Sequence, residues 1–312
     1  MLKRRNFLKQ SGAFALGSLL LPSCVSNQEK KSTEIDSTGA GKMATTSGNL
    51  GPVGVQLWSV KDVIEKDLQG TLKQLADIGY KEIESYPGEK GHYYGVEPKA
   101  FKKMLEDVGL TLVSSHVGSG VKNSKPGTWQ QATLLQNFNE LVDKAAETGQ
   151  QYLTCSWMDE SLRGDLKATA DLFNKSGEAC KKAGLQFAYH NHDFEFKKTG
   201  DVMLYDYMLE NTDHDLVKWE MDMYWVVAAG QDPLAYLKKY PGYFALGHVK
   251  DMDKQDKTKN IEIGLGSINY TELLKAAKDA GMKHFIVEQE SFTRPSIESM
   301  KMNYDWLSKV TI

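Results

Sequence analysis

Residues 185–196 read LQFAYHNHDFEF. Leu185, Phe187 and Tyr189 occupy every second position, the spacing of a strand with one apolar face. The run then ends in two histidines, His190 and His192, which flank Asn191, and two acids follow at Asp193 and Glu195. A strand that ends this way either leads into a charged loop or opens onto a site. The choice depends on whether other strands end alike.

They do. Short apolar strands are predicted at VGVQLW (53–58), KEIES (81–85), LTLVSSH (110–116), QYLTCSW (151–157), LQFAYHN (185–191), LVKWEMD (216–222), YFALGHVK (243–250) and HFIVEQE (284–290). Amphipathic helical segments lie between them: Leu68, Leu72, Leu75 and Ile78 share one helix face. The stretches LVDKAAETG, ACKKAG and LLKAAKDAG each stop at a glycine, a common helix terminator. Asn269 and Glu272 have capping-box spacing before Leu273 and Leu274. Eight βα units over about 260 residues predict an α/β chain folded as a (β/α)8 TIM barrel spanning residues 52–312. The competing doubly wound sheet often carries a Gly-rich phosphate turn after its first strand, and GVQLWSVKD has none.

In such a barrel the site forms at the C-terminal strand ends. There the sequence places Glu84 on strand two, His116 on strand three, His190 and His192 on strand five, and Asp222 with Tyr224 and Trp225 on strand six. Strand seven brings His248, Lys250 and Asp251, and strand eight Glu288 and Glu290. Four of the chain's 7 histidines thus fall on one rim. Unpaired and buried they would be costly, and a bound cation would satisfy them.

From strand one to strand eight the chain resembles the xylose-isomerase-like TIM-barrel superfamily, which includes sugar isomerases and epimerases, inosose and 3-dehydroshikimate dehydratases and endonuclease IV-type nucleases. The matching pieces are VGVQLWSVKD, GYKEIE, YHNHDFEF, EMDMYWV with GQDP, GHVKDMD, IGLGSINY and FIVEQE. The resemblance implies one divalent metal held from strands five to eight. The corresponding residues are His190, Asp222, His248 and Glu288, with His190 standing where the family has a glutamate. Two imidazoles with two carboxylates suit Mn²⁺, Zn²⁺, Co²⁺ or Fe²⁺ better than Mg²⁺. Glu288 and Glu290 share a strand face, as do His190 and His192; the family pattern favours Glu288 as ligand and leaves Glu290 as a base. His192 is a candidate proton donor or support for the metal ligands, with Asp193 and Glu195 in the loop or in support.

The chemistry implied is removal of a proton beside a carbonyl, with the metal stabilising the negative charge that develops. Returning the proton to the neighbouring carbon makes an isomerase, and to the opposite face an epimerase. Expelling a β-oxygen makes a dehydratase or lyase, and His190 in place of a second glutamate raises that reading. Glu290, His192 and Lys250 are the expected catalytic groups; Lys250 alternatively pairs with Asp222. His116, Glu84 and Trp225 are the expected substrate contacts; Trp58 and Trp157 also lie at or just beyond strand ends, where a single tryptophan is more often core than a sugar platform. The GLGSIN turn either caps a helix or receives a phosphate.

The N-terminus reads differently. Residues 1–24 carry Arg4-Arg5, Phe7-Leu8-Lys9 and an apolar run too short to span a bilayer as a stable helix. The segment resembles a twin-arginine export signal, and Leu21-Pro22-Ser23-Cys24 resembles a lipobox, which predicts a lipid on Cys24. Residues 25–51 are rich in Ser, Thr, Gly and Lys and read as a flexible linker. The expected location is the periplasm or a membrane to which only this lipid anchors the protein, and the expected partner is an unphosphorylated sugar, polyol ketone or keto-glycoside. A net charge of −3 argues against a nucleic-acid partner and hence against a nuclease. Three cysteines are too few for a disulfide scaffold, so Cys155 and Cys180 are expected as buried thiols. A non-catalytic sugar-binding lipoprotein is the reading from another functional class.

Overall fold

The computed structural model describes residues 50–121 and 128–312. The expected signal segment, Cys24 and residues 25–49 of the expected linker lie outside them. Leu50 is already buried against the core, so the folded region begins before the expected boundary at residue 52.

Eight parallel strands close a barrel: β1 Val53–Gln56, β2 Glu82–Ser85, β3 Thr111–Gly118, β4 Tyr152–Trp157, β5 Gln186–His190, β6 Val217–Asp222, β7 Phe244–Val249 and β8 His284–Val287. β1 pairs with both β2 and β8, which rules out the open doubly wound sheet. β1, β7 and β8 are buried at every position, as expected where helices cover the outside and side chains fill the inside.

The helices have local causes. Asp67 opens Leu68–Ile78 by accepting the Gly70 N–H at 2.9 Å, and Leu72 and Leu75 turn inward. The helix stops at Gly79, whose φ of 128° favours glycine; a Cβ there would lie 2.4 Å from the Tyr304 ring. Asn269 departs from the expected capping box. Its side chain donates to Glu272 Oε2 at 3.0 Å and makes no cap bond to the backbone.

β7 and β8 stop short of their expected ends because side chains take over the next backbone groups. The Lys250 N–H donates to the Tyr270 hydroxyl at 2.9 Å, and that hydroxyl donates to the Lys250 carbonyl at 2.7 Å. Past β8, the Gln289 N–H goes to Ser59 Oγ at 3.0 Å and the Glu290 N–H to Asn260 Oδ1 at 2.8 Å. Both strand ends are thereby fixed while their side chains still point at the site. Cys155 and Cys180 are free, buried thiols.

The GLGSIN turn is filled from within. The Asp251 carboxylate accepts the N–H groups of Met252, Gly264, Gly266 and Ile268 at 2.8, 2.9, 3.0 and 3.1 Å. A Cβ on Gly266 would sit 2.2 Å from Asp251 Oδ1. Those amides are committed to a carboxylate of the chain itself, so the turn is a loop held shut by Asp251 and those amides do not cradle a phosphate. Asp251→Ala removes all four acceptor contacts and is expected to cost about 3 kcal/mol or more, read as a lowered urea midpoint with an unchanged m-value.

Candidate active site

The strand ends bring His190, Asp222, His248 and Glu288 together. Each offers one ligand atom, and these atoms lie within 4.8 Å of one another. Asp222 Oδ2 sits among them, 3.9 Å from His190 Nε2 and 3.8 Å from His248 Nδ1, and it is buried and ion-paired with Lys250 Nζ at 3.0 Å. Asp222 Oδ1 is engaged: it caps the helix Met223–Ala228 by accepting the Trp225 N–H at 3.0 Å. Two imidazoles and two carboxylates that bring one ligand atom each to a single point are a donor set for a divalent cation, so the four residues fit a metal.

The same two imidazoles are held from behind through their other nitrogens. His190 Nδ1 lies 3.1 Å from Glu220 Oε2, and His248 Nε2 lies 2.7 Å from Glu84 Oε1. His116 Nε2 joins both acids, 2.9 Å from Glu84 and 3.0 Å from Glu220. Gln56 Nε2 also donates to Glu84 at 2.9 Å. A carboxylate behind each histidine fixes the ring and its tautomer, as ligating imidazoles require.

Charge is shared unequally across this layer. Burial opposes protonation of His116, but Glu84 and Glu220 prevail and lift it to about 9. Burial and then the Glu84 carboxylate raise Glu220 to about 7. Burial and the nearby His248 and His192 push His190 well below its usual range, which leaves it neutral and able to ligate.

Glu220 is a residue that the sequence reading passed over, although it precedes Asp222 by two on β6 and so shares its face. Glu84 is misassigned in the expectation of a substrate contact: it is fully buried and is not on the cavity wall. Its short spacing to His248 and His116 makes it a support for imidazole. Glu84→Gln is expected to weaken metal binding about 10–100-fold with the fold intact, measured by equilibrium dialysis alongside circular dichroism.

Lys250 is fully buried, with Nζ 2.6 Å from Glu288 Oε2, 3.0 Å from Asp222 Oδ2 and 3.3 Å from Glu290 Oε1. Burial opposes the ammonium charge, but Asp222, Glu288 and Glu290 outweigh it and hold the proton firmly. The alternative expectation, the Asp222 ion pair, is present, and Lys250 itself is enclosed by three carboxylates and does not line the cavity that opens above these groups. Because it neutralises two of the four metal ligands, Lys250→Met is expected to tighten metal binding at least tenfold, on the order of 1.4 kcal/mol, read by competition with a chromogenic chelator.

Above these groups opens a cavity of about 470 Å³ whose lining includes His116, His190, His192, Glu288 and Glu290. His192 has a buried Nδ1 with no partner. Burial first, and then Lys250, lower it to about 3, so it is a neutral imidazole. Its backbone N–H donates to Glu195 Oε2 at 2.9 Å, and Glu195 also accepts the Tyr189 hydroxyl at 2.6 Å. Asn191 ties β5 to β6, accepting the Asp222 N–H at 3.1 Å and donating to the Asp222 carbonyl at 3.2 Å. Asp193 pairs on the surface with Lys197 at 3.2 Å. Trp225 is corrected as a substrate contact: it packs against His192, with ring centroids 5.8 Å apart, and does not line the cavity, whereas Trp58 and Trp157 do.

With this geometry in hand, the class follows. The chain belongs to the xylose isomerase-like TIM barrel family, which matches residues 72–310. Among its relatives, an inosose dehydratase of Clostridium beijerinckii is 25% identical over 230 residues, covering 67% of this chain and 72% of that protein. Another from Clostridium perfringens is 24% identical over 215 residues, covering 64% and 69%. A solved sugar phosphate isomerase/epimerase of Parabacteroides distasonis superposes with a TM-score of 0.71 at 28% identity, covering 82% of this chain and 96% of that one.

Proposed function

We propose that this chain is a metal-dependent enzyme that removes the proton beside the carbonyl of a sugar, as sugar isomerases, epimerases and sugar dehydratases do. The observation that carries the proposal is the set His190, Asp222, His248 and Glu288 converging beneath a cavity that also exposes Glu290. A divalent cation bound there supplies positive charge to the oxygen that becomes negative as the proton leaves. Manganese, zinc, cobalt and iron fit two imidazoles and two carboxylates better than magnesium. Glu290 takes the proton; burial lifts its carboxyl above the usual carboxylate range while Lys250 opposes the shift. Glu84 and Glu220 orient the imidazoles.

Isomerisation or epimerisation is the first reading. A specific observation favours a second, elimination of a β-oxygen by a dehydratase or lyase. Epimerisation by two carboxylates needs one on each face of the reacting carbon, and β5 supplies His190 instead of a glutamate. Neutral His192 on the cavity wall has one N–H that can hydrogen-bond to a departing oxygen, while the proton that Glu290 has taken is the one available to protonate it. The relatives named inosose dehydratase favour the same outcome.

The proposal includes an exported protein and an unphosphorylated sugar or keto-sugar. Its support is the Arg4-Arg5 signal-like segment with Cys24, and the commitment of the GLGSIN amides to Asp251. Solvent deuterium incorporation into a panel of keto-sugars, followed by NMR with and without chelator, tests the reaction. Metal-dependent exchange at the carbon beside the carbonyl is the expected result, and the product separates isomerase from dehydratase. Activity on phosphorylated sugars alone overturns the substrate assignment, and exchange insensitive to chelator overturns the metal.

A further inference from the structure

Trp58 and Trp157 are 37% and 48% exposed, yet both line the cavity that holds Glu288 and Glu290. Single exposed apolar side chains are ordinary on a protein surface. Here they gather: of the six large hydrophobic residues exposed among the described residues, Trp58, Val121 and Trp157 all border this one mouth. A patch of that kind beside a polar site marks a binding surface.

Both tryptophans are fixed in place. Trp58 meets Tyr86 edge-on at 5.0 Å and carries Lys61 Nζ 3.7 Å from its ring centroid. Trp157 meets His192 edge-on at 5.2 Å and Phe194 at 5.1 Å, and the Arg163 guanidinium lies 3.7 Å over the Phe194 ring. Such rings cost little entropy on binding, because their orientation is set beforehand. Polar groups lie beside them: Ser119 Oγ donates to the Trp157 carbonyl at 2.7 Å and accepts the Asp159 N–H at 2.8 Å, which leaves the Asp159 carboxylate at the cavity edge. Aromatic faces bracketed by a few polar groups bind the C–H faces of sugar rings and planar aromatic groups alike. The residues of the proposed reaction, His190, His192, Glu288 and Glu290, line the same cavity. The cavity of about 470 Å³ exceeds what a single hexose fills and falls in the range of larger ligands.

We infer that the outer half of this cavity, built on Trp58 and Trp157, is a subsite for a second ring joined to the reacting sugar, so that the substrate class is a glycoside or disaccharide bearing a ring ketone and not a free monosaccharide. The inference rests on the proposed reaction for the floor of the site, but its own evidence is the pair of tryptophans.

The test uses the purified full chain and two readouts. Calorimetry compares glucose with cellobiose and phenyl β-glucoside, and isotope exchange compares the corresponding ring ketones. The two-ring probes are expected to bind at least tenfold more tightly and to exchange with at least tenfold higher kcat/KM. In Trp58→Ala and Trp157→Ala the ratio of two-ring to one-ring binding is expected to fall towards one. Equal binding of one-ring and two-ring probes, or a ratio that neither substitution changes, overturns the subsite even where exchange is fast. Absence of exchange with every ketone overturns the proposed reaction instead, and the calorimetric ratio then decides the subsite by itself.

Discussion

Asp222→Asn is expected to reduce metal-dependent proton exchange on the order of 10³-fold and to leave the purified protein without stoichiometric metal by elemental analysis. The two carboxylate oxygens of Asp222 do different work. Oδ1 caps a helix through the Trp225 N–H, and an asparagine carbonyl continues to accept that bond. Oδ2 is the buried atom facing His190 and His248 and paired with Lys250, and an amide nitrogen there cannot ligate a cation. The substitution therefore separates the site from the fold: circular dichroism and the urea midpoint stay close to wild type while metal and exchange are lost together. Retention of both metal and exchange would show that the cation sits elsewhere, with the inner set His116, His190, Glu220 and His248 as the remaining candidate.

The second large effect belongs to Glu290. Glu290→Gln is expected to slow exchange about 10²–10⁴-fold, the range for losing a positioned general base, while metal content stays at the wild-type level. Glu288 and Glu290 both reach Lys250, at 2.6 and 3.3 Å, but they differ in surroundings. Glu288 also lies 3.2 Å from His248 Nδ1 and is almost wholly buried, as a ligand should be. Glu290 is open to the cavity, as a base should be. If Glu290→Gln lost its metal and kept its chemistry per bound metal, the two roles would have to be exchanged.

The barrel was legible because its signal is local and repeated. Eight apolar strands separated by helical periodicity leave few other architectures, and the polar residues at strand ends are inherited directly from strand alternation. Order and spacing placed His190, Asp222, His248 and Glu288 on one rim, since a closed barrel must bring its strand ends together, and the family resemblance marked them out from their neighbours as the ligand set. What alternation could not reveal was depth. Glu84 and His116 end neighbouring strands in the sequence, yet Glu84 is sealed beneath the histidines while His116 also reaches the cavity. Glu220 was hidden by its neighbour Asp222, because two inward-facing acids on one strand differ only in their level inside the barrel. The tryptophans failed for a related reason: Trp225, expected to meet a sugar, lies behind His192, whereas Trp58 and Trp157, at positions where a single tryptophan is more often core, stand at the mouth.

The sequence by itself determined the parallel barrel and the rim on which the chemistry sits, and its resemblance to a known family implied the candidate metal ligands. The barrel and the rim follow from periodicity, which is a property of the chain. The tertiary structure alone decided which acid serves which histidine, why Lys250 is enclosed by three carboxylates, and why the GLGSIN amides are closed to a phosphate. These are distances between residues far apart in the chain, often separated by many tens of positions, and only closure of the barrel brings them within a few ångströms.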